Sequence, residues 1–167
     1  EFNRKLLREG IATIAPAGWH HTEEFYSFMN SGEVAAIVMP MWYMERFIQL
    51  MPDLAGKIAI APMPVWEVGQ PRSVGMGGTG TSVTKSAKNP DLVKRFLAFA
   101  KLSKEGNIEV WHTLGFDTIR TEIWSMPEIV NEENKFTRYF VNNPVDVLNQ
   151  IKDEILPIHV PEALPDV

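Results

Sequence analysis

Cysteine is absent from the 167 residues, which removes disulfides, thiolate chemistry and cysteine-based zinc sites together. The compartment stays open, since exported and internal proteins alike can do without cysteine. A membrane-length apolar run is also missing. The stretch Val34 to Trp42 is broken by Pro40 and followed by Glu45 and Arg46, far short of the roughly 20 residues a spanning helix needs. Clustered positive charge is lacking too: 16 Lys and Arg are scattered through a chain of net charge -5, which argues against a nucleic-acid surface. No serine stands in a nucleophile elbow, and no carboxylate pair occupies a recognisable catalytic context. These absences point to binding rather than catalysis, and no cofactor or metal is expected.

What the chain does contain is ample core material, with 45% hydrophobic and 22% charged residues, enough for one ordinary domain. It opens Glu1-Phe2-Asn3-Arg4 without an initiator Met or signal-peptide pattern, and it closes shortly after Pro161 and Pro165. It is therefore expected to be a piece of something longer, with any targeting segment outside it.

Periodicity predicts a short amphipathic helix over Phe2 to Arg8, closed by Gly10, and an irregular stretch from Ile11 to His21. Thr22 is placed to cap a second helix whose Glu23 and Glu24 suit a positive dipole end, with Gly32 ending it. Val34 to Met39 reads as a strand covered on both faces, and Lys57 to Ala61 as a second strand. Met44, Phe47, Ile48 and Met51 recur at helical spacing. Asn89-Pro90-Asp91 starts the clearest helix, with Leu92, Val93, Phe96, Leu97 and Ala100 as its apolar stripe. Ser103 caps the next, through Ile108 and Trp111. Two more helical patterns follow, one around Phe136 and Tyr139 to Val141, and one through Val147, Leu148, Ile151 and Ile155.

The glycine cluster Gly75-Met76-Gly77-Gly78-Thr79-Gly80 fits neither phosphate motif it imitates. A dinucleotide fingerprint needs a helix to open at once, whereas Thr81, Ser82, Val83 and Thr84 favour extended backbone. A P-loop needs lysine where Thr81 stands. Four of the 11 glycines within six residues leave two readings, a structural turn or a close approach of backbone to ligand.

Trp42 and Tyr43 sit where the first strand would turn into a helix, and strand ends are favoured binding places in α/β architecture. A Trp face suits the C–H face of a sugar ring, and its N–H adds a polar handle; the alternative is an aromatic pair packed in the core. Trp66, Trp111 and Trp124 lack that placement and read as packing residues. His20 and His21 read as surface histidines, because neighbours in sequence rarely aim together and no spaced third ligand follows. Glu132 and Glu133 read as a solvated helix face.

Taken in order, Ser31-Gly32-Glu33-Val34-Ala35-Ala36, Pro40 to Trp42, Ile60-Ala61-Pro62-Met63-Pro64, Gly77-Gly78-Thr79-Gly80, Ser86 to Asp91 with the helix Val93 to Ala100, Ser103-Lys104-Glu105-Gly106 and Gly115 to Arg120 carry a resemblance. Over residues 10 to 155 the chain resembles the extracellular solute-binding proteins of bacterial ABC sugar transporters, the maltose-binding-protein-like family 1. The resemblance implies an α/β, periplasmic-binding-protein-like (type II) fragment, with short central β-sheet strands flanked by several helices. Residues 1–74 and 121–167 would come from one lobe, and 75–120 would include crossover strands and helices of the other. Most of the N-terminal lobe would lie outside the chain.

The same resemblance implies a non-enzymatic carbohydrate receptor, extracytoplasmic (periplasmic or lipid-anchored), whose partners are the sugar and the ABC permease subunits in the membrane. Its ligand contacts would be Trp42, which stacks on the sugar, Tyr43, Gly77, Gly78 and Thr79, with Phe116 and Asp117 behind them. Apolar surface left without its usual neighbours would drive self-association. Two other functions stay open: an enzyme or phosphate-binding protein cradling an anion at Gly75 to Gly80, and a structural interaction domain whose aromatics only pack. Exposure of Trp42 and charge beside the glycine loop discriminate among the three.

Overall fold

The computed structural model of the chain describes residues 1–73 and 78–156. Eight α-helices appear among them: α1 (Phe2–Arg8), α2 (Glu23–Asn30), α3 (Met44–Leu50), α4 (Pro90–Leu102), α5 (Lys104–Leu114), α6 (Pro127–Val130), α7 (Lys135–Tyr139) and α8 (Pro144–Ile151), with short 3-10 turns between several of them. Their starts follow local chemistry. Thr22 accepts from the Phe25 N–H at 3.3 Å, Asn89 from Leu92 at 3.1 Å and Ser103 from Gly106 at 2.9 Å, each satisfying an otherwise orphaned donor. Asn134 and Thr137 form a reciprocal capping box around α7.

The core forms where α2 and α3 meet the C-terminal helices. Phe25, Met29, Tyr43, Phe47 and Met51 pack with Phe136, Tyr139, Phe140, Val145 and Leu148, while Trp111 and Trp124 fill the far side. Tyr139 donates its hydroxyl to the Met51 carbonyl at 2.5 Å, and burial pushes its pKa up to about 12. Glu45 on α3 pairs with Lys135 on α7 at 2.7 Å. α4 packs against α5 at a point where only glycine fits: a Cβ on Gly106 would stand 2.5 Å from the Phe99 carbonyl oxygen and 3.0 Å from that of Ala100.

The helices match the sequence expectations closely, but the central sheet does not. No strand is formed among the described residues. Val34 to Met39 runs outside any helix with no backbone hydrogen bond to another described segment, and Val38 and both alanines are exposed rather than covered. A strand requires a partner ladder, and none of the described segments supplies one to this run. The second expected strand has a partial substitute. The Gly56 N–H reaches the Tyr139 carbonyl and the Val141 N–H reaches the Ile58 carbonyl, both at 2.8 Å. Beside them the Asn142 carboxamide donates to the Ile60 carbonyl and accepts from its N–H, both at 2.9 Å. A side chain stands where a strand backbone would continue, so pairing stops there.

Three further expectations are corrected. The α4 stripe is only partly covered: Val93, Leu97 and Ala100 are half-buried where α5 packs, whereas Leu92 and Phe96 are exposed, as are Phe99 and Leu102 beside them. Trp66 is 76% exposed and meets the Phe2 ring edge-on, while Trp111 and Trp124 are buried as expected. Glu132 and Glu133 lie between α6 and α7 rather than on a helix, pairing with His112 and Arg138.

Candidate functional site

Trp42 stands on the 3-10 turn Met41–Tyr43 that leads into α3. Pro40 at its head is extended, φ -70 and ψ 159, and the Tyr43 N–H returns to the Pro40 carbonyl at 3.0 Å. The two neighbouring rings go opposite ways. Tyr43 is buried, donating its hydroxyl to the His20 carbonyl at 2.8 Å, and burial raises its pKa to about 12. Trp42 keeps 38% of its surface in solvent. Its plane lies 18° from that of His21 with centroids 5.8 Å apart, a stacked geometry, and it meets Tyr43 edge-on at 5.6 Å.

The histidine pair is therefore not a free surface feature, which corrects the sequence reading. His20 and His21 are half-buried, 4.2 Å apart, and lie within a continuous row of rings that runs from Trp19 through the pair to Trp42. His21 Nδ1 is 3.5 Å from the Tyr26 hydroxyl. Desolvation, then the charges of His20 and Arg46, lower the His21 pKa, so the ring is held neutral below its ordinary range. Trp19 was not singled out by sequence. The signal was available, since it follows the Pro16-Ala17-Gly18 turn just ahead of a helix, the same kind of position that marks Trp42.

The remaining sequence candidates are not assembled with this pair. Gly77, with Gly75, lies outside the described residues. Gly78 and Thr79 are exposed, and among the described residues a Cβ at Gly78 would meet nothing within 4 Å. Phe116 and Asp117 are exposed on the segment following α5. Asp117 touches solvent yet has protein crowded around it, and that desolvation pushes its carboxyl pKa up against a hydrogen bond from its own backbone. No ring contact, hydrogen bond or ion pair among the described residues joins Gly78, Thr79, Phe116 or Asp117 to Trp42.

Of the basic residues near the glycine segment, Arg72 is committed elsewhere, while Lys85 and Lys88 are exposed. Arg72 grips Glu154 through Nε at 3.0 and 3.1 Å and through Nη2 at 2.5 Å, and its backbone N–H donates to the same carboxylate at 2.8 Å. That clamp holds the Glu154 carboxyl down at about pKa 2. Two open depressions mark the surface, of about 310 Å3 around Glu133 and Asn142 and about 590 Å3 around Arg72 and Glu154; Trp42 lines neither. A stacking ring presents a flat face, which becomes a cavity only when an opposing wall is present.

The family described as Bacterial extracellular solute-binding protein matches residues 14–106, a span holding Trp19, Trp42, the glycine cluster and α4. The arabinooligosaccharide-binding protein of Bacillus subtilis is 50% identical over 164 residues, covering 97% of this chain and 38% of that relative. The arabinooligosaccharide-binding protein of Halalkalibacterium halodurans is 47% identical over 157 residues, 94% of this chain and 35% of that relative. The chain thus spans well under half the length of the curated relatives it matches. No solved structure matches it.

Proposed function

This chain belongs to the bacterial extracellular solute-binding protein family, and from that premise we propose that the protein binds an arabinooligosaccharide as the extracytoplasmic receptor of an ABC transporter. It delivers the sugar to permease subunits unaltered and acts outside the cytoplasmic membrane, free or lipid-anchored. The observation that carries the reading is Trp42: a tryptophan whose neighbour Tyr43 is fully packed, yet which keeps 38% of its own surface in solvent on a turn within the matched span. An apolar ring face with a polar edge suits a sugar ring, whose C–H face stacks while its hydroxyls hydrogen-bond. Tyr43 acts as the anchor of that turn. Gly77, Gly78 and Thr79, with Phe116 and Asp117, are the further contacts in this reading.

The relatives' greater length supports a two-lobed whole, with 1–74 and 121–167 contributing to one lobe and 75–120 to the crossover and the other lobe. Val34 to Met39 and Lys57 to Ala61 would pair there with strands from the rest of the polypeptide, completing a type II sheet. The exposed stripe of α4 would be covered in the same way, and by a second copy when these residues stand alone.

The test is a tryptophan-fluorescence titration of the full-length protein with arabinooligosaccharides and a control panel of other sugars, repeated on Trp42→Ala. A saturable change that is lost in the variant, with unchanged far-ultraviolet dichroism, is expected. Saturable binding that survives Trp42→Ala refutes the site; no response to any sugar refutes the function.

A further inference from the structure

We propose that Trp19 is a second aromatic ligand contact, and that the row Trp19, His20, His21 and Trp42 is a binding strip that reads the length of an oligosaccharide rather than a single sugar ring. The inference rests on the reading of Trp42 as a ligand contact and extends it along the surface. Trp19 is 56% exposed, although its centroid lies 4.6 Å from His20 and 5.8 Å from His21. His21 then stacks on Trp42 at 5.8 Å. The two indoles are thus no farther apart than two such steps, with imidazole nitrogens between them as hydrogen-bonding groups. Two solvent-exposed indoles with polar imidazoles between them are the chemistry that takes up consecutive sugar units.

Trp19 is also held in place rather than hanging free. Ala17, two residues before it, has φ 57 and ψ 9, making it the one non-glycine residue at positive φ among the described residues. A conformation that alanine tolerates poorly persists only where surroundings enforce it, and such strain gathers at ligand sites. On the other side, the buried Tyr43 hydroxyl ties down the His20 carbonyl, so the segment carrying Trp19 is fixed from the Trp42 turn itself. A pre-positioned indole loses little freedom on binding, which is what makes a stacking contact worth having.

The experiment is calorimetric titration of the full-length protein with a ladder of arabinooligosaccharides of increasing length, on wild type, Trp19→Ala, Trp19→Phe and Trp42→Ala. Trp19→Ala should erase the affinity gained at one length step, a loss of about tenfold confined to ligands at or beyond that step. Trp19→Phe should restore most of it, and Trp42→Ala should weaken every member of the ladder. An unchanged length profile in Trp19→Ala, or an equal loss for all lengths, overturns this inference and leaves the Trp42 site standing. Unchanged binding in both alanine variants overturns that site as well. Thermal unfolding of each variant separates lost folding from lost contact, and Trp19→Phe keeps the test decisive if Trp19→Ala fails to fold.

Discussion

Replacing Gly115 with alanine tests whether the packing beneath α5 is as unforgiving as the geometry requires. Gly115 ends that helix in the left-handed region, φ 65 and ψ 23, with its N–H bonded to the Trp111 carbonyl at 2.9 Å. A Cβ there would press on Phe136 Cζ and lie 2.6 Å from Cε1. The phenyl ring has nowhere to retreat. It is fully buried, 6.1 Å from the equally enclosed Trp111, and its backbone is fixed by the Asn134 capping box. Left-handed backbone costs a non-glycine residue about 1 kcal/mol, and forcing a methyl into a filled core typically costs about 1–3 kcal/mol more. The expected loss is therefore about 2–4 kcal/mol.

Gly32→Ala supplies the control, since Gly32 has φ +78 but an added Cβ would meet nothing within 4 Å. It should lose only the backbone cost of about 1 kcal/mol. Urea unfolding followed by dichroism measures both, and at about 1–3 kcal/mol per molar the Gly115→Ala midpoint should fall by about 1 M or more. Equal losses in the two variants would refute the clash. So would a double variant with Phe136→Leu in which the Gly115→Ala loss is undiminished, because a smaller side chain there should relieve the overlap.

The remaining predictions concern charge and association. Glu154 has its pKa pressed from 4.5 to about 2 by Arg72, so the unfolded chain binds the proton more readily. The clamp's contribution is complete above pH 4.5 and is lost as pH falls towards 2; acid unfolding of Glu154→Gln should accordingly be shallower in that window, with the difference shrinking in high salt. A parallel acid limb in both proteins would contradict it. Removing the Arg46 cation should let His21 rise towards 6.5, so Arg46→Gln should move its imidazole titration upward in proton NMR, and a downward or absent movement would discount the Arg46 charge. For the 167 residues alone, light scattering should report association, abolished by Phe96→Glu with Phe99→Glu on the exposed face of α4; a compact monomer without those changes would refute it.

What the sequence revealed, and what it concealed, divides along a physical line. Helix starts were legible because a cap is a contract among neighbours: Thr22, Asn89, Ser103 and Asn143 each act within three residues. The strands were not, because Val34 to Met39 carries strand composition whether or not a partner edge exists to pair with it. The α4 stripe announces an apolar face, but not what lies opposite. Turn placement singled out Trp42, which the structure leaves partly exposed, while the ring row through His20 and His21 depends on Tyr43 reaching back 23 residues to the His20 carbonyl, a link no local pattern records.

The Asn142 carboxamide that holds both ends of the Ile60 peptide also fixes a schedule. Its grip crosses 82 positions, as does that of Arg72 on Glu154. At ribosomal speeds of about 5–20 residues per second, Ile60 waits roughly 4–16 s for its partner to be made. Throughout that interval the Ile60 peptide lacks the carboxamide that satisfies both its N–H and its carbonyl. The order of synthesis therefore sets the earliest moment at which these two long-range links can close, the one on Ile60 and the one on Glu154 alike.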